Sequence, residues 1–299
     1  MSKNQIPEVY GLGQCSLDYF GLIKNYPPAD SKCEFTGLAV QGGGPVATAL
    51  AALSRWGVHC AFAGVIGDDA FGRQIQASLE MEGIDLRGLL VRQGFESQFA
   101  FIAVEPGPGR RTIFWQRPTG PPPRPEELDL DLIRRAKVFH TDGLFPEAAL
   151  AGARAARAVG VPVVVDAGSL RDGMLDLARL SDYFIASASF ARSLVGKDDP
   201  LAACREMAAL GPGLVGVTLG KEGYVALDRG RLIRRPAYPV AAVDTTGCGD
   251  VFHAGFIYGL LQGWTMDRSL DWGAWAASRV ALQLGGRTGI PPLPEWLKG

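Results

Sequence analysis

Val243-Asp244-Thr245-Thr246-Gly247-Cys248-Gly249-Asp250-Val251-Phe252 runs from a glycine-bearing turn into an apolar segment. Its residues Phe252, Ala254, Phe256, Ile257, Leu260 and Leu261 recur at helical spacing. A turn of this kind leaves the first backbone N–H groups of the helix without intrahelical partners, and the helix dipole adds partial positive charge there. Such a turn is an anion site, most often for phosphate. Gly247 and Gly249 carry no side chain, so the backbone can come close to a ligand. A carboxylate at Asp250 works against phosphate binding unless it has a task. The chemistry that fits is a general base, taking the proton from a hydroxyl that attacks a phosphoryl group. The same string also reads as an ordinary helix start, with a threonine as cap and an aspartate in the first turn. The turn alone leaves both readings open.

Outward from this turn the chain alternates strand and helix patterns. Val9 to Leu12 reads as a buried strand. Gly42-Gly43-Gly44 leads into an Ala/Leu-rich helix that stops at Gly57, and its glycines either permit close approach of a ligand or merely make a tight turn. Ala61 to Ile66 is a strand, followed by an Asp-capped helix through Met81. Further on come strands at Val138–Gly143, Val161–Asp166, Tyr183–Ala186, Leu214–Leu219 and Gly223–Leu227, with helices over 147–159, 189–195 and 200–210. Val163-Val164-Val165 is apolar on both sides, as a buried parallel strand requires. The pattern predicts an α/β chain folded as a three-layer α/β/α sandwich with right-handed crossovers.

Ser97 to Trp115 breaks the pattern. Alternating residues flank Pro106-Gly107-Pro108-Gly109, which predicts a β-hairpin. Together with the segment after Asp18 it would form a small β-sheet lid. The lid segments, about 18–37 and 97–116, are insertions in a single domain spanning 1–299. Arg110, Arg111 and Arg117 are the strongest local charge cluster, either solvated or meeting an anionic group on the substrate. Gly11-Leu12-Gly13-Gln14-Cys15-Ser16 lacks the third glycine and the following helix of a dinucleotide fingerprint.

A net charge of -1 gives no argument for nucleic acid or an acidic membrane surface. Five cysteines at scattered spacings fit a reducing cytoplasm rather than a disulfide framework. The N-terminus has no apolar signal core, and no apolar run reaches the roughly 18 residues of a membrane span.

Asp-Thr-Thr-Gly-Cys-Gly-Asp-Val-Phe closely resembles the second signature of the ribokinase-like (phosphofructokinase-B) carbohydrate kinases, D-T-x-G-A-G-D-x-F. The likeness extends from Asp18 to Pro291. It implies a ribokinase-like fold and an ATP-dependent sugar kinase that phosphorylates a hydroxyl of a small carbohydrate. By position Asp250 is the base, and Gly247, Cys248 and Gly249 form the anion hole. Cys248 stands where the family usually has Ala, and its thiol adds an oxidation liability. Gly42, Gly43 and Gly44 resemble the family's first signature, in which Thr48 takes the place of a sugar-binding Asn. The wording Gly-Gly-Gly-Pro-x-Ala-Thr-Ala is similar to the branch that contains sulfofructose kinase. Asp18 matches the Asp that holds sugar hydroxyls. Thr218, Gly220 and Gly223 resemble the nucleotide loop, and Ala277 lies in the helix that lines the adenine pocket. Mg2+ is implied with ATP, yet Ser189-Phe190-Ala191-Arg192 stands where Asn-x-x-Glu is usual, and Asp166, ending a strand, is the nearest substitute. Asp244 and Thr246, with the loop Gly285–Pro291, would offer carbonyls to K+. The lid implies a homodimer. His253, one turn inside the helix, reads as a packed or surface histidine rather than a catalytic one. A nucleoside kinase of the same fold and a nucleotide-binding protein without catalysis are the alternatives.

Overall fold

The computed structural model describes residues 5–105 and 110–295. In chain order the elements are β1 (Val9–Leu12), β2 (Ser16–Leu22), β3 (Gly37–Gly43), α1 (Pro45–Arg55), β4 (Cys60–Gly67), α2 (Ala70–Met81), β5 (Asp85–Arg92), β6 (Phe99–Glu105) and β7 (Arg110–Gln116). Then come α3 (Leu130–Arg135), β8 (Val138–Thr141), α4 (Pro146–Arg157), β9 (Val163–Ala167), α5 (Met174–Leu180), β10 (Tyr183–Ser187), α6 (Ala188–Val195) and α7 (Pro200–Ala208). The chain finishes with β11 (Leu214–Thr218), β12 (Tyr224–Asp228), β13 (Arg231–Arg235), α8 (Cys248–Leu261) and α9 (Met266–Val280).

The large sheet has the order β13-β12-β11-β10-β9-β8-β1-β4-β5. β11 through β5 run parallel, and β12 and β13 add an antiparallel edge. Two apolar cores flank it. One packs side chains of α1, α2, α8 and α9 on one face, and the other packs α3 to α7 on the opposite face. This is the three-layer sandwich that the strand–helix alternation implies. Val163, Val164 and Val165 are fully buried because both faces of their strand are covered. Proline opens α1, α4 and α7 at the first turn, where a missing N–H costs nothing. The Asp69 carboxylate accepts from Gly72 N at 2.7 Å and caps α2.

The second sheet has the order β3-β2-β6-β7. β2 pairs antiparallel with β3 and parallel with β6, and β6 pairs antiparallel with β7. One expectation fails here. Gly42-Gly43 is no turn but the end of strand β3, which continues the lid well beyond residue 37. A glycine-rich strand gives no β pattern to read. Strand β5 also escaped the sequence reading, being a half-buried edge without strict alternation. The Pro/Gly turn tip of the lid hairpin and the side chain of Arg110 lie outside the described residues.

No described helix is long and apolar enough to cross a membrane. Helix α8 is buried on nearly every side, and it crosses α9 at two glycines. A Cβ on Gly255 would sit 2.5 Å from Gly273 Cα, and one on Gly273 would sit 2.5 Å from the Phe252 carbonyl oxygen. Gly273→Val should therefore destabilise the fold by about 1–3 kcal/mol and lower Tm by about 2–4 °C per kcal/mol. Thermal unfolding checks this, and an unchanged Tm would show that the helix pair can spread without cost.

Candidate active site

Parallel strands bring their C-terminal ends to one edge of the sheet, the edge at which open α/β sheets bind ligands. Loops after β1, β8, β9 and β11 and the N-terminus of α8 converge there. Gly247 caps α8 with φ 76°, a left-handed conformation that glycine adopts without strain. A Cβ there would also lie 2.5 Å from Gly286 Cα, so the turn is pressed directly on the C-terminal loop. The N–H groups of Gly247, Gly249 and Asp250 meet no acceptor among the described residues, and that of Cys248 reaches the Thr245 carbonyl only at 3.4 Å. A Cβ on Gly249 would meet nothing within 4 Å. The turn thus faces open space with its donors free, as an anion site must.

Asp250 sits in the first turn of α8, where burial pushes its carboxyl well above the ordinary 3.8. Asp166, Asp18 and Asp142 add repulsion, and Arg287 offsets part of it. Asp18, on β2, accepts from Ser16 Oγ at 2.7 Å. Its carboxylate fills the place of the missing side chain of Gly43, where a Cβ would lie 2.0 Å from Oδ2. Burial raises its pKa to about 6. Asp142 follows β8 and accepts from Gln14 N and Leu144 N, both at 2.9 Å, and burial raises it to about 7. Asp166, at the end of β9, lies 3.5 Å from His253 Nδ1. Asp18, Asp142 and Asp166 thus each lie within electrostatic reach of Asp250 at the anion turn.

Gly44 precedes α1 with φ 96°, and a Cβ there would strike the Gln14 carbonyl at 2.1 Å. Thr48 lies in the first turns of α1, buried, and its hydroxyl has no hydrogen-bond partner among the described residues. Gly42 leaves room for the Arg287 guanidinium, which is buried and whose Nε and Nη2 lack partners.

Thr218, Gly220, Gly223 and Ala277 line one cavity of about 500 Å³, together with Thr245, Cys248 and Gly249 of the anion turn. Tyr224, Tyr238, Phe252 and Ala274 give it apolar walls. This cavity also receives Arg111 from the lid, whose Nη1 donates to Thr245 Oγ1. Arg111 is exposed, as a solvated arginine is, and its guanidinium also reaches Thr245 beside the anion turn.

Asp244 is buried. Its Oδ1 accepts from Thr246 N and Oγ1 at 2.9 and 2.8 Å, and its Oδ2 accepts from Gly285 N at 2.9 Å. The side chain staples two loops. Gln41 on β3 ties the lid to the same C-terminal loop: Oε1 accepts from Arg287 N at 3.1 Å, and Nε2 donates to Leu284 O at 3.3 Å and to Thr288 Oγ1.

The Cys248 thiol is pushed up to about 12 by burial and by Asp244 and Asp250, so the thiolate that oxidation needs is scarce. His253 is packed. Its Nδ1 lies 2.8 Å from the Gly249 carbonyl, and its ring stacks on His140. Ser187, not a carboxylate, occupies the end of β10, and it caps α6. Among the described residues no group of three side chains could hold a metal ion.

Sequence reasoning passed over Asp142, Arg171 and Arg287. Asp142 was within reach of it, since an Asp directly after a strand of a parallel sheet falls on the ligand edge. Nothing local marked the two arginines.

A family model for "pfkB family carbohydrate kinase" matches residues 10–293. An ATP-dependent ribose-1-phosphate kinase of Halopiger xanaduensis is 28% identical, over 94% of each chain. Fructokinase-2 of Oryza sativa subsp. japonica is 30% identical, over 82% of this chain and 77% of that one. The structure of Arabidopsis thaliana ribokinase complexed with ribose and ATP has the same fold, with a TM-score of 0.84 over 98% of each chain at 23% identity. The chain belongs to the pfkB family of carbohydrate kinases, phosphotransferases with an alcohol group as acceptor.

Proposed function

We propose that this kinase transfers the γ-phosphoryl group of ATP to a hydroxyl of a small carbohydrate, with Asp250 as general base. The observation that carries this is a raised carboxylate one residue from a turn whose N–H groups are free. The sugar lies against Asp18 and the glycines at the end of β3, and Thr48 offers it a free hydroxyl. The nucleotide lies in the cavity of Thr218, Gly220, Gly223 and Ala277. Asp250 takes the proton of the attacking hydroxyl. The oxygen so freed attacks the γ-phosphorus in line, and ADP leaves. The N–H groups of Gly247, Cys248 and Gly249 hold the charge on the transferring group, and such donors are worth about 10²–10³ in rate each. Arg111 adds a positive charge at the same place.

Mg2+ brought by ATP would be held mainly by phosphate oxygens and water, with Asp166 as the protein ligand. Apart from the contact with His253, the Asp166 carboxylate accepts no hydrogen bond among the described residues. When bound, the ion neutralises phosphate charge. The carboxylate of Asp244 is used up by protein donors, so only the backbone carbonyls of Asp244, Thr246 and the facing loop are left for K+. The outer face of the lid carries exposed Leu38, Val40, Phe35 and Phe114. A homodimer that buries this face follows from the hydrophobic effect.

Asp250→Asn should cut ADP release from Mg-ATP and sugar by about 10²–10⁴. Asp250 acts ionised, so wild-type kcat/KM falls as pH drops through the raised pKa, and the variant lacks that limb. The raised value also means that the ionised side chain costs stability as pH rises through it. At pH 8 the variant's Tm should therefore be higher by about 2–4 °C. Equal turnover in the variant would remove Asp250 as base. Replacing KCl by NaCl at constant ionic strength should lower kcat/KM, and identical rates would exclude a selective K+ site. Leu38→Asp should shift the sedimentation coefficient from dimer to monomer, and an unchanged value would place the interface elsewhere.

A further inference from the structure

Three arginines approach the cleft from outside the catalytic turn, and they do not serve one charge. Along β7, residues 111, 113 and 115 share one face. That face is the inner one. Asp18 pairs with Ala100, and Ala100 pairs with Trp115, so Asp18 and Trp115 stand in one cross-strand row on the same side of the lid. Two strand spacings separate them, about 10 Å. Arg117 follows the strand and lies 4.8 Å over the Trp115 ring. Arg111 and Arg117 are six residues apart, hence roughly 20 Å along an extended chain. Arg111 ends at Thr245, on the nucleotide side, and Arg117 ends on the sugar side.

Arg171 lies in the loop after β9, half-buried. It is within electrostatic reach of Asp142 and Asp166, the carboxylates that face Asp250, and of Arg117 itself. Its one hydrogen bond goes to Ser169 Oγ. Neither Arg117 nor Arg171 enters an ion pair with any described carboxylate, although most other arginines of the chain that bond a side chain find one. Two guanidinium groups drawn together repel unless an anion joins them, and the guanidinium fork suits a phosphate or carboxylate.

We infer that the sugar substrate carries an anionic group of its own, a phosphate or a carboxylate remote from the reacting hydroxyl, and that Arg117 and Arg171 hold it. The inference rests on the sugar-kinase reading of the site and narrows it from sugars in general to anionic sugars. Asp18 holds hydroxyls at one end, the arginine pair holds the charged group at the other, and the hydroxyl between them meets Asp250. A neutral sugar leaves the two guanidinium groups unpaired and binds less well.

The test uses matched pairs: ribose with ribose 5-phosphate, fructose with fructose 6-phosphate, and glucose with gluconate. Binding is measured by calorimetry without ATP, and turnover by ADP release. An anionic member of at least one pair should bind more tightly than its neutral partner by about ten- to a hundred-fold, the worth of a charged hydrogen bond or two. Arg171→Gln and Arg117→Gln should remove that margin and raise KM for the anionic sugar by more than for its neutral partner. Arg171→Lys should restore part of it. A panel in which no anionic member outbinds its neutral partner overturns the proposal, whether or not any sugar is phosphorylated. So does an equal loss of neutral and anionic binding in the glutamine variants. Because binding is read without ATP, failure of Asp250 as base would show in turnover alone.

Discussion

Electrostatic crowding is the constraint on which this molecule is built. Asp18, Asp142, Asp166 and Asp250 come from four separate places in the chain; the first three are buried, and their charges act on Asp250 at a helix N-terminus. Each is held there by protein donors or by packing that cannot relax: Ser16 on Asp18, two backbone amides on Asp142, His253 beside Asp166. Isolated ionised carboxylates would not survive such burial, and the pKa values of Asp18, Asp142 and Asp250 rise instead. Burial first, and the repulsion after it, raises Asp250. A carboxyl with an ordinary pKa is a weak base towards a sugar hydroxyl, and the raised one proposed here as base would be a stronger one. Stability lost at the site is made up by the two apolar cores on either side of the large sheet.

On the proposed reading the fold itself separates the two ligands. The cavity proposed for the nucleotide lies between the β11–β12 region, α8 and α9, all parts of the large layer structure. The proposed sugar side is bounded by β2 and β3 of the small sheet. Helix α8 begins at the boundary, so its free N–H groups look at the point where the two ligands would touch. The lid's inner face carries charge at both ends, Arg111 towards the nucleotide and Arg117 towards the sugar.

What could be read from the sequence follows from how local the physics is. The turn Gly247–Asp250 is legible because glycines, a helix start and one carboxylate define its chemistry within four residues. Thr218, Gly220, Gly223 and Ala277 are recognisable singly, and the structure adds that they share a cavity. Strand β3 is illegible because Gly42 and Gly43, which make space for Arg287 and Asp18, are turn residues by composition. Asp142 and Arg171 acquire meaning only when β8 and β9 lie side by side. The three lid arginines look alike in sequence. Distance along the chain, six residues of extended backbone, tells Arg111 from Arg117.

Gln41 has a consequence beyond hydrogen bonding. It belongs to the strand that shapes the sugar pocket, yet its amide grips the loop of Leu284 to Thr288, and Gly286 of that loop is pressed on Gly247. Lid and phosphate turn are therefore not independent modules. Grafting a foreign lid to change which sugar is accepted would disturb the catalytic turn unless residue 41 and the C-terminal loop were carried across together. Natural divergence of substrate preference in this architecture would have to change those two segments in concert.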